Sequence, residues 1–138
     1  MATLLENWRN LAYGNGLDDK QREQLWTGYF TIEKGIYEQI LSNPAEVVSG
    51  TVKELADKYQ TEVLIMTGFL DGINESLKGY ENPIETMDEN TQVKIEIDPE
   101  KLYYNMVEAK AEWLYTLPQW DSILSEEKRK ELYKQQKA

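Results

Sequence analysis

The sequence predicts an all-α protein, a single compact domain of five to six helices with a central αα-hairpin of helix-turn-helix type. Three observations carry that prediction. Apolar residues recur at three- and four-residue spacing through most of the 138 residues. The most apolar stretch, 51–77, divides into two such segments at a tight junction near Gln60–Thr61. A two-residue alternation is confined to 92–97, where Val93, Ile95 and Ile97 alternate with Lys94 and Glu96, and no partner strand is visible for it.

The first helix is expected over 2–12, with Leu4, Leu5, Trp8, Leu11 and Ala12 on one side, and Gly14-Asn15-Gly16 stops it. A long helix follows from Asp18 to Ser42, opened by Asp18 and Asp19, which suit capping and the helix dipole. Its main stripe is Leu25, Tyr29, Ile32, Ile36 and Ile40, broadened by Trp26, Phe30, Tyr37 and Leu41. Gly28 and Gly35 each cost up to about 1 kcal/mol against Ala in a helix interior. With Thr31 they form a small-residue strip, and Gly68 and Gly72 form another in the central helix. The two strips suggest a close crossing of these helices, in which case Gly35→Leu would collapse thermal stability. Asn43-Pro44 ends the long helix, because a residue before proline disfavours the helical region. Residues 44–49 read as one further helical turn.

Thr51 and Glu54 form a capping box for a short helix whose apolar face is Val52, Leu55, Ala56 and Tyr59. Thr61 reads as a second cap. Val63, Met66, Leu70, Ile73 and Leu77 then make one stripe, which Leu64, Ile65 and Phe69 widen almost all the way round. A helix apolar on most sides belongs at the centre of its domain. Residues 79–98 read as an acidic connector between two helical halves, extended near 92–97. Asp98-Pro99 starts the next helix, which is expected to reach about Thr116 on Leu102, Met106, Ala109 and Trp113. Leu117-Pro118 breaks it. Ser125 caps a last helix with Glu126 and Glu127 first and Lys128, Arg129, Lys130, Lys134 and Lys137 after, and its end, 134–138, is expected to fray.

Composition excludes much chemistry. The sequence has no Cys and no His, which removes disulfides, thiolate or imidazole metal sites, Cys nucleophiles and His bases. No catalytic residue, metal ligand or cofactor site is assigned. Residues 81–100 hold seven acids and one base, and Glu108 and Glu112 lie one turn apart, but no calcium-loop pattern accompanies them. A carboxylate-based divalent-metal protein is therefore a distant alternative. A helix-turn-helix regulator using 51–77 is a nearer one. Yet Thr61–Leu77 carries no Lys or Arg, and Glu62, Asp71 and Glu75 have the wrong sign for phosphate. The net charge of −10 likewise repels nucleic acid and anionic membranes; it favours solubility or a basic partner, and reads first as a solvated acidic exterior. Asn74-Glu75-Ser76 matches a glycosylation sequon by chance, inside a helix. No run reaches the ~18 apolar residues of a membrane span. Glu6 and Arg9 interrupt the first apolar stretch, so no signal-peptide pattern opens the chain, and a cytoplasmic location is expected.

The strings IEKGIYEQILSNP, GTVKELADKY, GFLDGINESL and LYYNMVEAKAEWLYTLPQWDSIL, with the following EEKRKELYK, resemble the N-terminal helical region of uncharacterised Firmicutes proteins that carry a SEC-C motif. The resemblance spans about Asn7 to Lys137. It implies a bacterial, cytoplasmic, non-secreted protein, an adaptor to nucleic acid or to protein-targeting machinery, and it does not imply catalysis. The cysteine-rich zinc tail of that family carries over to no residue here. The expected function is a non-catalytic protein-interaction or adaptor module. Its candidate surface is Tyr80, Tyr104, Tyr115, Trp120 and Tyr133, aromatics that fall off the main stripes or near helix ends, as interface aromatics do.

Overall fold

The fold is mostly helical, with a two-stranded sheet let into one side, as seen in a computed structural model that describes residues 4–13, 16–43, 48–77 and 88–137. Among these the chain runs α1 (Leu4–Tyr13), α2 (Asp19–Ser42), β1 (Val48–Thr51), α3 (Val52–Lys58), α4 (Val63–Leu77), β2 (Gln92–Ile95), α5 (Pro99–Glu108), α6 (Glu112–Tyr115), a 3-10 turn (Pro118–Ser122) and α7 (Glu126–Lys137).

Local chemistry sets most helix starts. Asp18 accepts from the Gln21 amide while Gln21 reaches back to the Asp18 amide, a capping box at the head of α2. Thr51 and Glu54 do the same for α3. Asp98 caps α5 through the Lys101 amide, with Pro99 at its first position. The Thr61 hydroxyl, expected to cap α4, instead lies buried with no hydrogen-bond partner. The Thr61 amide is drawn back to the Ala56 carbonyl, which closes α3 rather than opening α4.

That closure is a Schellman motif. Thr61 N–H bonds the Ala56 carbonyl at 2.9 Å and Gln60 N–H bonds Asp57 at 3.2 Å, with Gln60 in the left-handed region at φ 56. The same device ends α5. Ala111 N–H bonds Met106 at 2.9 Å and Lys110 N–H bonds Val107 at 3.0 Å, with Lys110 at φ 58. So the helix expected to reach Thr116 stops at Glu108, and the chain restarts as the single turn α6. No glycine or proline marks this break in the sequence, which is why periodicity alone runs through it.

Of the helical turn expected over 44–49, Val48 and Ser49 are strand instead, in Val48–Thr51, and 44–47 lie outside the described residues. Strand β1 pairs antiparallel with β2 in the register Val48↔Ile95, Ser49↔Lys94, Gly50↔Val93 and Thr51↔Gln92. The extended segment near 92–97 therefore has a partner within the chain. Val48, Val93 and Ile95 are buried against the helices, and Lys94 and Glu96 face out, which is the alternation of a half-buried strand. A turn at Asp88–Thr91 precedes β2, and its carbonyls accept from the first amides of α3, Glu89 from Lys53 at 3.0 Å and Thr91 from Val52 at 3.2 Å. Orphan donors of a helix start are thus met by a distant loop. Part of the acidic connector is built structure, and 79–87 lies outside the described residues. The last helix runs to Lys137.

The core gathers on α4. Met66, Thr67, Phe69, Leu70 and Ile73 are all at most 1 % exposed, so α4 is the central buried helix, as its nearly all-round apolar pattern requires. It packs against α1, α3 and α5. The crossing that depends on a glycine is α1 over α4. A Cβ at Gly68 would stand 2.4 Å from Cε2 of the buried Trp8. At Gly28, Gly35 and Gly72, by contrast, a Cβ would meet nothing within 4 Å, so the close α2–α4 crossing inferred from the glycine strips does not exist among the described residues. The expectation for Gly35→Leu is reversed with it. Gly68→Ala should lower stability by about 1–3 kcal/mol, since the ring must leave its seat. Gly35→Ala should raise it by up to about 1 kcal/mol through helix propensity. Paired thermal melts check both, and a more damaging Gly35→Ala would refute the assignment.

Candidate functional site

An open groove of about 630 Å³ lies between α2 and the α3–α4 junction. Helix α2 supplies Leu25, Gly28, Tyr29 and Ile32, a stripe at the 3.6-residue period. Ala56 and Ile65 form the opposite wall. Asp57 and Glu62 stand on the two sides of the Gln60 turn, and no Lys or Arg lines the groove. Gly28 keeps the floor open, since nothing would meet its Cβ. Ile32 is 38 % exposed, a large apolar side chain left uncovered beside the opening. The buried Thr61 hydroxyl that lacks a partner also belongs to this lining.

Tyr29 connects the groove to the interior. Its ring packs on Trp8 at 4.7 Å between centroids and edge-on to Trp26 at 5.6 Å. Its hydroxyl donates to Glu33, one turn on. Burial pushes the Glu33 carboxyl up to about 7, and the hydrogen bond from Tyr29 pulls it partly back. Burial, then the negative charge of Glu33, raise the Tyr29 phenol, and the same two causes raise Tyr37. Both tyrosines stay protonated donors throughout the ordinary pH range. Around them runs an aromatic chain at the surface, Tyr13–Trp26–Phe30–Trp113, with successive centroids 5.4 Å apart. The indole N–H of Trp26 is held by the Ala12 carbonyl at 3.2 Å.

The sequence-derived aromatic surface is only partly assembled. Trp120 is fully buried, its N–H bonded to the Leu114 carbonyl at 2.9 Å and its ring edge-on to Tyr103 at 5.1 Å, so it is core and not surface. The reason is the 3-10 turn after Pro118, which swings the indole inward. Tyr115 and Tyr133 are half-buried and meet at 6.4 Å, and Tyr104 is half-buried on α5 against the core. Tyr80 lies outside the described residues. The groove itself was not foreseen from the sequence. Its one legible signal is Gly28 on an otherwise apolar helix, which the spacing assigns to a crossing and the structure to open space.

Among the described residues no three acidic side chains converge as a metal site, and no helix is long and apolar enough to cross a membrane. No family model, no curated protein and no solved structure matches the chain.

The raised Glu33 carboxyl gives a pH prediction. Between the ordinary glutamate range and about 7 the folded state holds a proton that the unfolded chain has released, so stability falls as pH rises through that window. Glu33→Gln keeps an acceptor for Tyr29 and carries no charge to bury. Its melting temperature should exceed the parent's at about pH 8 and converge with it at about pH 4.5. A gap independent of pH would show that Glu33 is not the titrating group.

Proposed function

We propose that this chain is a protein-interaction module whose α2–α3–α4 groove takes an amphipathic helix bearing Lys or Arg beside its apolar anchors. One observation carries the reading. The groove combines an apolar floor, an uncovered Ile32 and a rim whose charged residues, Asp57 and Glu62, are both acidic. A helix laid into such a groove sets residues at i, i+3, i+4 and i+7 against the floor, and its cations meet the carboxylate rim. The net charge of −10 adds long-range steering toward a basic partner.

The resemblance to the front region of SEC-C proteins supports the same adaptor reading, and with it a bacterial, cytoplasmic setting. A helix-turn-helix role gains little from the geometry. Five consecutive residues of α4, Met66 to Leu70, are buried, which leaves its N-terminal half little face to offer base edges.

The test is a titration with a designed amphipathic helix of Leu and Lys and with its counterpart bearing Glu for Lys, followed by Trp fluorescence. The Lys peptide should bind at about micromolar Kd, more weakly as salt rises, and the Glu peptide should not. Asp57→Lys combined with Glu62→Lys, or Ile32→Asp alone, should weaken binding about tenfold or more, while the distant Glu96→Lys leaves it unchanged. Binding that ignores the rim pair and Ile32, or equal binding of both peptides, would overturn the reading.

A further inference from the structure

On α7 three cations fall in one stripe. Arg129, Lys130 and Lys134, with Glu126 and Tyr133, follow the three- and four-residue spacing and face Tyr103 of α5 across a cleft of about 280 Å³. Three cations share this lining with one carboxylate, in a chain that is acidic overall. Glu126 is held by Lys130 at 3.1 Å, but both side chains are largely exposed, and such a pair opens at little cost. Arg129 is anchored by Asp121 at 2.9 Å, yet its Nε is buried and has no acceptor. The cleft wall is aromatic. Tyr115 packs edge-on to Tyr103 at 6.1 Å and meets Tyr133 at 6.4 Å, so the two lining phenols are braced from behind.

The geometry points to a binding site for a phosphomonoester in the α5–α7 cleft, its phosphate met by Arg129, Lys130 and Lys134 and its organic group lying against Tyr103 and Tyr133. A phosphate offers several acceptor oxygens to converging cations, and Arg is suited to it by its fixed fork of donors. The phenol of Tyr103 is raised by burial, against the pull of Arg129, and therefore remains a hydrogen-bond donor. The three cations outnumber Glu126, so a doubly charged oxyanion gains more here than a single carboxylate does. The site is separate from the α2–α3–α4 groove and does not depend on the reading given to it.

The ligand chemistry could come from a small phosphorylated metabolite or from a phosphorylated side chain. Amide chemical-shift titrations of the whole chain with phenyl phosphate, O-phosphoserine, a phosphotyrosine peptide and inorganic phosphate separate these. Saturable shifts should gather at Tyr103, Arg129 and Tyr133, with phenyl phosphate bound more tightly than inorganic phosphate. A phosphotyrosine peptide tighter than phenyl phosphate identifies a side-chain ligand, and the reverse order identifies a small molecule. Lys130→Gln with Lys134→Gln should weaken binding about tenfold or more with little change in melting temperature, because both side chains are exposed and the Lys130–Glu126 pair contributes little. Shifts that fail to saturate, that persist in the double variant, or that are equal for inorganic and phenyl phosphate indicate an adventitious ion only and overturn the proposal.

Discussion

The Trp8 indole resting on Gly68 is the contact on which the rest of the arrangement depends. Without a side chain at Gly68, α1 descends onto the central helix until the ring touches backbone. The same ring then supports Tyr29 and, edge-on, Trp26, so one residue joins α1, α4 and the first half of α2. Aromatic pairs of this kind add about 0.5–1.5 kcal/mol each beyond the area they bury. The Arg9–Asp71 pair at 3.4 Å spans the same two helices, but its Arg is nearly half exposed and it contributes little by comparison. Close packing of backbone against an indole leaves almost no tolerance for a shifted α1.

From that crossing the groove follows in steps. Helix α2 is pinned near its start by Trp8 and near its end by Ile36, Tyr37, Ile40 and Leu41, which are buried. Helix α3 is placed from the other side. The β1–β2 pair closes the chain between Val48 and Ile95, and the turn at Asp88–Thr91 grips the first amides of α3. The Schellman turn at Gln60 then sets the angle to α4 and holds Asp57 and Glu62 apart. Between these two independently fixed walls, Gly28 of α2 leaves space that no other described residue fills. The groove is a consequence of rigid neighbours and a helix too lean to reach them.

Charge is sorted over the surface in the same spirit. Carboxylates stand at the α2–α3–α4 groove, while three cations of α7 gather opposite Tyr103. Helix α7 is tied to its neighbours by Lys128–Glu100 and Arg129–Asp121. Its position, and with it the direction in which its cations point, comes from Leu132 in the core and those two ties. A chain of strongly negative net charge thereby presents two concavities of opposite preference.

Much of the fold was legible in the residues themselves. The cap at Asp18, the capping box at Thr51, the Asp98-Pro99 start, the apolar character of α4 and the junction at Gln60 are local properties, and each appears where the spacing places it. Local chemistry is short-ranged, so reading it needs no partner. Tertiary structure alone decided the rest. Val48–Thr51 becomes a strand because Gln92–Ile95, some forty residues away, offers it a ladder. The α5 helix ends at Lys110 in a left-handed residue that nothing in its side chain demands. Trp120 turns from a surface candidate into core. Glycines that the spacing makes equivalent prove opposite, one seating an indole and the others facing open space. Residue type records what a position permits, and only the distances to other segments decide whether a permitted gap is filled by the protein or left for a partner.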